Sequence, residues 1–521
     1  MKWVSSRPLP IALLLVVITT GVFFRVVRLD HKVYWHDEVF TSIRAAGYVG
    51  QGVGEALYTG DVLYPKDILK YQTLEPGRGW SDTLHALTTH PEHPPLYYLL
   101  VRLWMNLFGT SVAVIRSLSV LFSLLTFPAL YWLCLELFRS PSVGWMAIAL
   151  YSVSPFHVLY AQEARQYSLW TLTTILSSTL LLRALEKGSV SRWVSYVGAI
   201  ALGFYTSLFS VLVYGAHAAY VLMRESWQFN KTVVRFSIAL IIGSTTFIPW
   251  AIVMVNNWDT FKAKTSWVNY DYPLSLLTRL WGLHVSSALI DMGFPLYHWY
   301  SVVAPIGVIL LIAFAFYRLI RNTPQRTWLF VLFLTVLPAI ALIFPDLMLG
   351  GRRSASTRYF VPVLIGVLLA GSFLLSEGIS HLNGGYRWII RGLVAVILTV
   401  GIVSCSISFH SDTWWSKVVS YGVPRTAALV NSKPKPLLIV GLRDVSLGNT
   451  IALSYRLDDH VRLQMTLEAN IPDIPNDVSD LFLYHPTDAL LQVFKDAPKF
   501  RVQDLKRDSM YIINDSEDDA T

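Results

Sequence analysis

Long apolar runs fill most of the chain up to about residue 410, and beyond that point polar and apolar residues alternate at short range. Crossing a hydrocarbon core as a helix takes roughly 17–25 apolar residues. About eleven runs approach or reach that length, near residues 8–28, 112–138, 143–161, 168–184, 193–208, 209–223, 234–255, 299–320, 327–345, 359–380 and 388–409. The pattern predicts an α-helical polytopic membrane protein. The first run, from about Pro8 to Phe24, lies between Lys2 and Arg7 on one side and Arg25 and Arg28 on the other, with no small-residue cleavage site. It therefore reads as a retained span and not as a removable signal.

Short loops rich in Lys and Arg stay on the cytoplasmic side. Four such clusters occur: Arg183, Lys187 and Arg192; Arg224, Lys231 and Arg235; Arg318, Arg321 and Arg326; Arg387 and Arg391. With the N-terminus inside, they fall on every second connection through all eleven segments. The extracytoplasmic side then carries two long connections, 29–111 and 256–298, and a tail beginning near His410. Within the first connection, "HPPLYYLLVRLWMNLFG" is apolar enough to pass for another span. Counting it would put the basic clusters outside, so it reads as a helix at or dipping into the outer interface.

The predicted organisation is a membrane domain over 1–410 and a soluble extracytoplasmic α/β domain over 411–521. In the latter, "PLLIVGL" and "MYIIND" have the look of buried strands, and the stretches near 414–431 and 485–495 have helical spacing. The end, "DSEDDAT", reads as a disordered acidic terminus.

Composition supports this picture: of 521 residues, 54% are hydrophobic and only 15% charged, too little polar surface for several soluble domains. The net charge of +8 conceals an asymmetry, since the chain from Asp412 onward holds 12 Lys and Arg against 16 Asp and Glu, a net −4 that leaves +12 for the hydrophobic part. The basic excess belongs to membrane loops, and no nucleic-acid partner is needed to explain it. Cys134 and Cys405 both lie in apolar runs, so neither a disulfide framework nor a Cys-based metal site is expected.

Four polar features stand out, all on the outer side of this topology. In "YWHDEVF", Asp37 and Glu38 follow the first span within a belt of Tyr34, Trp35 and Phe40, where desolvation would raise a carboxylate's proton affinity and suit a general base. The bland alternative is a pair of acids facing water. In "HPEHPPLYYLL", Glu92 and His93 precede two prolines that stiffen a helix entry and fix their direction, though a helix start carrying polar residues would read the same. In "SPFHVLYAQEARQYSL", Glu163, Arg165 and Tyr167 lie between two spans, with snorkelling of Arg165 to head groups as the competing reading. In "GGRRSASTRYF", Arg352, Arg353 and Arg358, next to Tyr359, break the positive-inside rule; guanidinium groups there suit an anionic ligand or lipid head groups.

In this order and spacing, the acidic "DE" after the first span, "EHPPLYYLL", "LFGTSVAVIRSLSVLFSLL", "SPFHVLYAQEARQYSL" and the late "RYFVP" resemble the GT-C superfamily of polyprenyl-phosphate-sugar-dependent glycosyltransferases, family 39-like, related to protein O-mannosyltransferases and aminoarabinose transferases. The resemblance covers roughly residues 8–410. It implies inverting transfer at the outer membrane face from a sugar on undecaprenyl phosphate or a similar carrier to a lipid, glycan or protein acceptor. Asp37 matches the acid that acts as base, and Glu38 the adjacent acid that positions the acceptor. Glu92 and His93 match a Glu-basic-Pro-Pro pattern near the donor, whose basic position is Lys in the aminoarabinose transferases. Glu163 and Arg165 match a second outer-loop site whose acid is Asp, and a metal ligand, in oligosaccharyltransferases. No cofactor is expected.

Two other readings remain. His36, His85, His90 and His93 share one connection with Asp37, Glu38 and Glu92, which raises a divalent metal, but no tight pattern such as H-E-x-x-H is present. A transporter or flippase would also line its path with polar residues near helix ends. Such a protein is expected to show broken spans, inverted repeats and mid-membrane charges, whereas the ionisable residues here concentrate on one face.

Overall fold

The computed structural model describes residues 10–381, 385–443, 445–506 and 509–515. Lys2, Arg7 and the acidic end beyond Asp515 lie outside the described residues. The chain divides into two compact units, one of residues 1–29, 90–97 and 116–410 and one of 30–89, 98–115 and 411–521. This grouping differs from a cut at residue 410. Most of the first outer connection groups with the C-terminal residues, and a short strand from it, Val62–Leu63, joins their sheet.

Among the described residues, each of the eleven apolar runs contains helix. Six helices among the described residues are long and apolar enough to cross a membrane, or eight if each of two bent pairs counts as one span. The helices Ile11–Val26, Val190–Thr206 and Ser210–Arg224 are shorter, at 16, 17 and 15 residues. Ile11, Leu15 and Val16 on the first helix are exposed, as expected of a lipid-facing surface. One bent pair, Pro141–Ser152 and Pro155–Ala161, turns by 62°. A break of this kind frees helix-end carbonyls that lipid cannot satisfy. Arg25 meets them: its guanidinium is fully buried and donates to Tyr151 O at 2.8 Å and to Ser152 O at 2.6 Å. Arg25 is thus an internal cap and not an interfacial flank of the first span.

The second unit holds a six-stranded sheet: β1 (Val62–Leu63), β2 (Pro436–Gly441), β3 (Arg462–Thr466), β4 (Asp480–Tyr484), β5 (Phe500–Asp504) and β6 (Met510–Asp515), in the order β1-β3-β2-β4-β6-β5. β2 runs parallel to β3 and β4, and the other pairings are antiparallel. Central β2 is buried along its whole length, which its unbroken Leu-Leu-Ile-Val run allows. At the edge, β5 exposes Arg501, Gln503 and Asp504, polar residues that discourage pairing with another chain. Leu437, Ile439, Leu483 and Phe494 form the local core.

Two expected helices in this unit are shorter than their periodicity suggests. The stretch 414–431 is helical only as a 3-10 turn at Val418–Ser420 and a helix at Val423–Asn431, while the later one spans Asp488–Asp496. Residues 414–417 precede the 3-10 turn, and Lys417 lies 3.7 Å from Glu38. The aromatic segment of the first connection forms the helix Leu96–Phe108, whose 13 residues reach only about 20 Å at the α-helical rise, too short to span.

Candidate functional site

Asp37 and Glu38 occupy the first turn of the helix His36–Ala45. Acids belong there, because the first-turn N–H groups lack intrahelical acceptors and the helix dipole favours negative charge. The two carboxylates have different surroundings. Glu38 folds back so that Oε2 accepts from Trp35 N–H at 3.4 Å and lies 3.7 Å from Lys417 Nζ, with Glu38 and Lys417 both buried. Lys417 Nζ also sits 5.1 Å from the Trp35 ring centroid. Asp37 remains partly exposed, while its carbonyl accepts from Thr41 Oγ1 at 3.1 Å. Of the two acids, Glu38 is the more deeply buried.

The remaining expected residues lie in the first unit. His93 Nε2 is 3.7 Å from Glu92 Oε1, and the preceding Pro91 carbonyl accepts from Trp250 Nε1 at 3.2 Å. Glu163 and Arg165 are buried in the turn between Pro155–Ala161 and Tyr167–Lys187, so Arg165 does not snorkel. That turn is pinned from several directions. Gln162 Nε2 donates to Phe24 O at 2.7 Å, and Ser119 Oγ, itself 2.7 Å from Tyr97 Oη, donates to Arg165 O at 3.3 Å. Tyr167 packs edge-on against Tyr160. The "HPP" helix entry and the Glu163–Arg165 turn are therefore joined through Tyr97 and Ser119.

The three arginines of "GGRRSASTRYF" separate into two kinds. Arg352 is engaged by the 266–272 segment: Nε donates to Trp267 O at 2.8 Å, Nη1 donates to Tyr272 Oη at 3.0 Å, and the guanidinium lies 5.2 Å from the Tyr270 ring. Arg353 pairs with buried Asp346 at 3.1 Å and donates to Asn269 Oδ1 at 2.6 Å. Both hold the loop together. Arg358 lies instead in the turn Thr357–Phe360 that leads into the helix Val361–His381, 5.6 Å from the ring of Tyr359, which packs on Phe209 at 4.3 Å. His284 packs on Phe360, and burial pushes its pKa down to about 3, so it is neutral beside this loop near pH 7. Among the described residues, no three His, Cys, Asp or Glu side chains cluster as a metal-ligand set.

Crystal structures of ArnT from Cupriavidus metallidurans superpose over nearly the whole chain. The one bound to undecaprenyl phosphate matches with a TM-score of 0.53 at 14% identity, covering 96% of this chain and 97% of that one. The apo form gives 0.54 at 13% identity with the same coverage. The chain has the GT-C fold. Within that fold, residues 92–253 match the family described as dolichyl-phosphate-mannose-protein mannosyltransferase. Undecaprenyl phosphate-alpha-4-amino-4-deoxy-L-arabinose arabinosyl transferases of Yersinia pestis (strain Pestoides F) and Yersinia pseudotuberculosis (serotype O:1b) are similar in sequence, 26% identical over 182 residues. The similar stretch spans 32% of this chain and 32% of those relatives.

Two residues of this GT-C chain escaped the sequence reading. Lys417 is a lone Lys in "DTWWSKVVS", and Asp346 a lone acid near the end of an apolar helix. The only signal for either was an isolated charge between aromatic or apolar neighbours, and neither partner is close by in sequence for Lys417.

Proposed function

We propose that this chain is an integral-membrane glycosyltransferase that moves a sugar from a polyprenyl-phosphate carrier to an acceptor hydroxyl or amine, with inversion and with Asp37 as general base. The observation that carries the reading is the contrast within one helical turn: Glu38 is buried between Trp35 and Lys417, whereas the adjacent Asp37 is partly exposed. The acceptor oxygen attacks the anomeric carbon and its proton passes to Asp37. The bond from that carbon to the phosphate oxygen breaks, and the electron pair departs with the phosphate. A phosphate leaving group needs positive charge and no proton, so the reaction requires a base, cationic groups and no cofactor. Arg358 and Arg165 are the proposed phosphate partners, with Tyr359, Tyr167, Glu92 and His93 as neighbouring donor-side groups. Arg352 and Arg353 contribute by fixing the loop that carries Arg358.

The proposed site is extracytoplasmic, in a plasma or inner membrane, with a cytoplasmic N-terminus and the C-terminal residues outside. The carrier already resides in the bilayer, which accounts for a transferase built into one. A transporter would draw on the bent helix pairs; at one of them, the carbonyls of Tyr151 and Ser152 accept from Arg25.

The test uses the full chain in lipid nanodiscs with a panel of undecaprenyl-phosphate-linked sugars and envelope lipid and glycan fractions as acceptors. Acceptor-dependent release of undecaprenyl phosphate that is lost on Asp37→Asn supports the reading, since a general base is typically worth 10²–10⁴-fold. Unchanged release by a folded Asp37→Asn protein rules out Asp37 as base.

A further inference from the structure

The acidic turn is clasped by a segment nearly four hundred residues away. Val33 N–H donates to Asp412 O at 2.8 Å, and His36 N–H donates to Ser420 Oγ at 3.1 Å. Ser420 Oγ in turn donates to Asn449 Oδ1 at 2.7 Å, and Asn449 Nδ2 donates to Val419 O at 2.6 Å. Asp412 lies 3.7 Å from His31 Nε2 and 3.6 Å from Arg456 Nη1, and Tyr34 packs edge-on against Tyr455. At the centre of these contacts is Lys417, buried, with its ammonium near both Glu38 and the Trp35 ring.

A buried ammonium beside a buried carboxylate is a poor way to gain stability, since desolvation offsets most of the attraction. What it does supply is a fixed geometry. The Glu38 carboxylate bridges the helix N-cap and Lys417, which ties the first turn to that ammonium. Asp37, the next residue back, takes its orientation from the same turn.

We propose that Lys417 is a positioning residue for the acidic motif: it holds Glu38, and through the first turn of His36–Ala45 it sets where the Asp37 carboxylate points. The strap 412–420 is then part of the reacting centre's support and not a tether to an accessory domain. The inference rests on the proposed role of Asp37.

The experiment is a double-mutant cycle on the full chain in nanodiscs with Lys417→Met, Glu38→Gln, the pair together, and Lys417→Arg. Acceptor-dependent release of undecaprenyl phosphate from the donor panel is the first readout. Lys417→Met is expected to lower kcat by about 10–100-fold, the scale of a displaced reacting group, with donor KM within about twofold. Lys417→Arg should recover part of the loss. The double variant, which removes both buried charges if Lys417→Met folds poorly, should be no slower than the slower single variant. Modification by a water-soluble carbodiimide, mapped by mass spectrometry, is the second readout and needs no donor: Glu38 should be protected in the native protein and modified in Lys417→Met. If Asp37→Asn is inactive while all Lys417 variants turn over normally, this inference falls and the base assignment stands. If Asp37→Asn is active, the base assignment falls; equal protection of Glu38 in both proteins then overturns the positioning role as well. Equal losses of kcat and thermal stability in Lys417→Met, with no recovery by Arg, mark a merely structural residue and overturn the proposal.

Discussion

Asp346 Oδ2 accepts from both Ser354 N–H, at 2.7 Å, and Ser354 Oγ, at 2.6 Å, so a single oxygen at the end of the helix Gln325–Leu349 closes the arginine loop on itself. Its other oxygen accepts from Arg353 N–H at 3.0 Å and from Arg353 Nη1 at 3.1 Å. Replacing Asp346 by Asn turns one acceptor into an N–H₂ that faces donors. The expected cost is about 2–4 kcal/mol, the scale of a lost charged partner and a stranded donor. Thermal unfolding and amide exchange over 351–356 would register it, and protection equal to that of the native loop would contradict this account.

Arg165 and Arg358, proposed for the donor, should differ in their effect from Arg352, which holds the 266–272 segment. Arg358→Gln and Arg165→Gln are expected to weaken undecaprenyl phosphate binding roughly tenfold or more, given about 1.5–3 kcal/mol for a charge-assisted contact. Lys at either position should recover part of that, because it lacks the planar fork. Arg352→Gln should chiefly loosen the 266–272 segment. Native mass spectrometry with titrated undecaprenyl phosphate separates these outcomes; weaker binding in Arg352→Gln alone would reverse the assignment.

Orientation can be read with cysteines at exposed positions, since native Cys134 and Cys405 are buried. Cysteine at Tyr270 or Asn470 should react with an impermeant maleimide in intact cells, and cysteine at Gln325 only after the membrane is opened; all three sites are exposed. The reverse pattern would overturn the proposed orientation.

Acid should loosen the C-terminal sheet at His485. Burial, with the charge of Arg443, pushes its pKa down from 6.5 to about 4, so the folded state holds the ring neutral where the unfolded chain binds a proton. Its contribution to stability is complete above about pH 6.5 and is lost as pH falls towards 4. That loss is at most about 3 kcal/mol by linkage, and less with solvent screening at a partly buried ring. Amide exchange along β4 should accelerate over this range in the native protein, and the acceleration should be smaller in His485→Gln. Identical acid dependence in the two proteins would remove His485 as the cause.

The membrane architecture was legible in the sequence because a lipid-buried helix must satisfy its own backbone, which makes long apolar runs nearly sufficient to specify it. The helix Leu96–Phe108 and the strands β2 and β6 also followed from local pattern, whereas the placement of Asp37 and Glu38 in the first turn of a helix did not. Everything that distinguishes one polar residue from its neighbour was settled by distant contacts. Asp37 and Glu38 are adjacent acids in the sequence, and the burial of Glu38 beside Lys417, 379 residues further on, distinguishes it from the partly exposed Asp37. Arg352, Arg353 and Arg358 share one loop, yet Trp267 and Tyr272 hold the first, Asp346 the second, and the third lies beside the Tyr359 ring. Arg25 looked like a flank of the first span until a broken helix supplied carbonyls for it. Periodicity reports which face of a segment avoids water, whereas the partner of a buried charge is set by which segments the packed fold brings within a few ångströms.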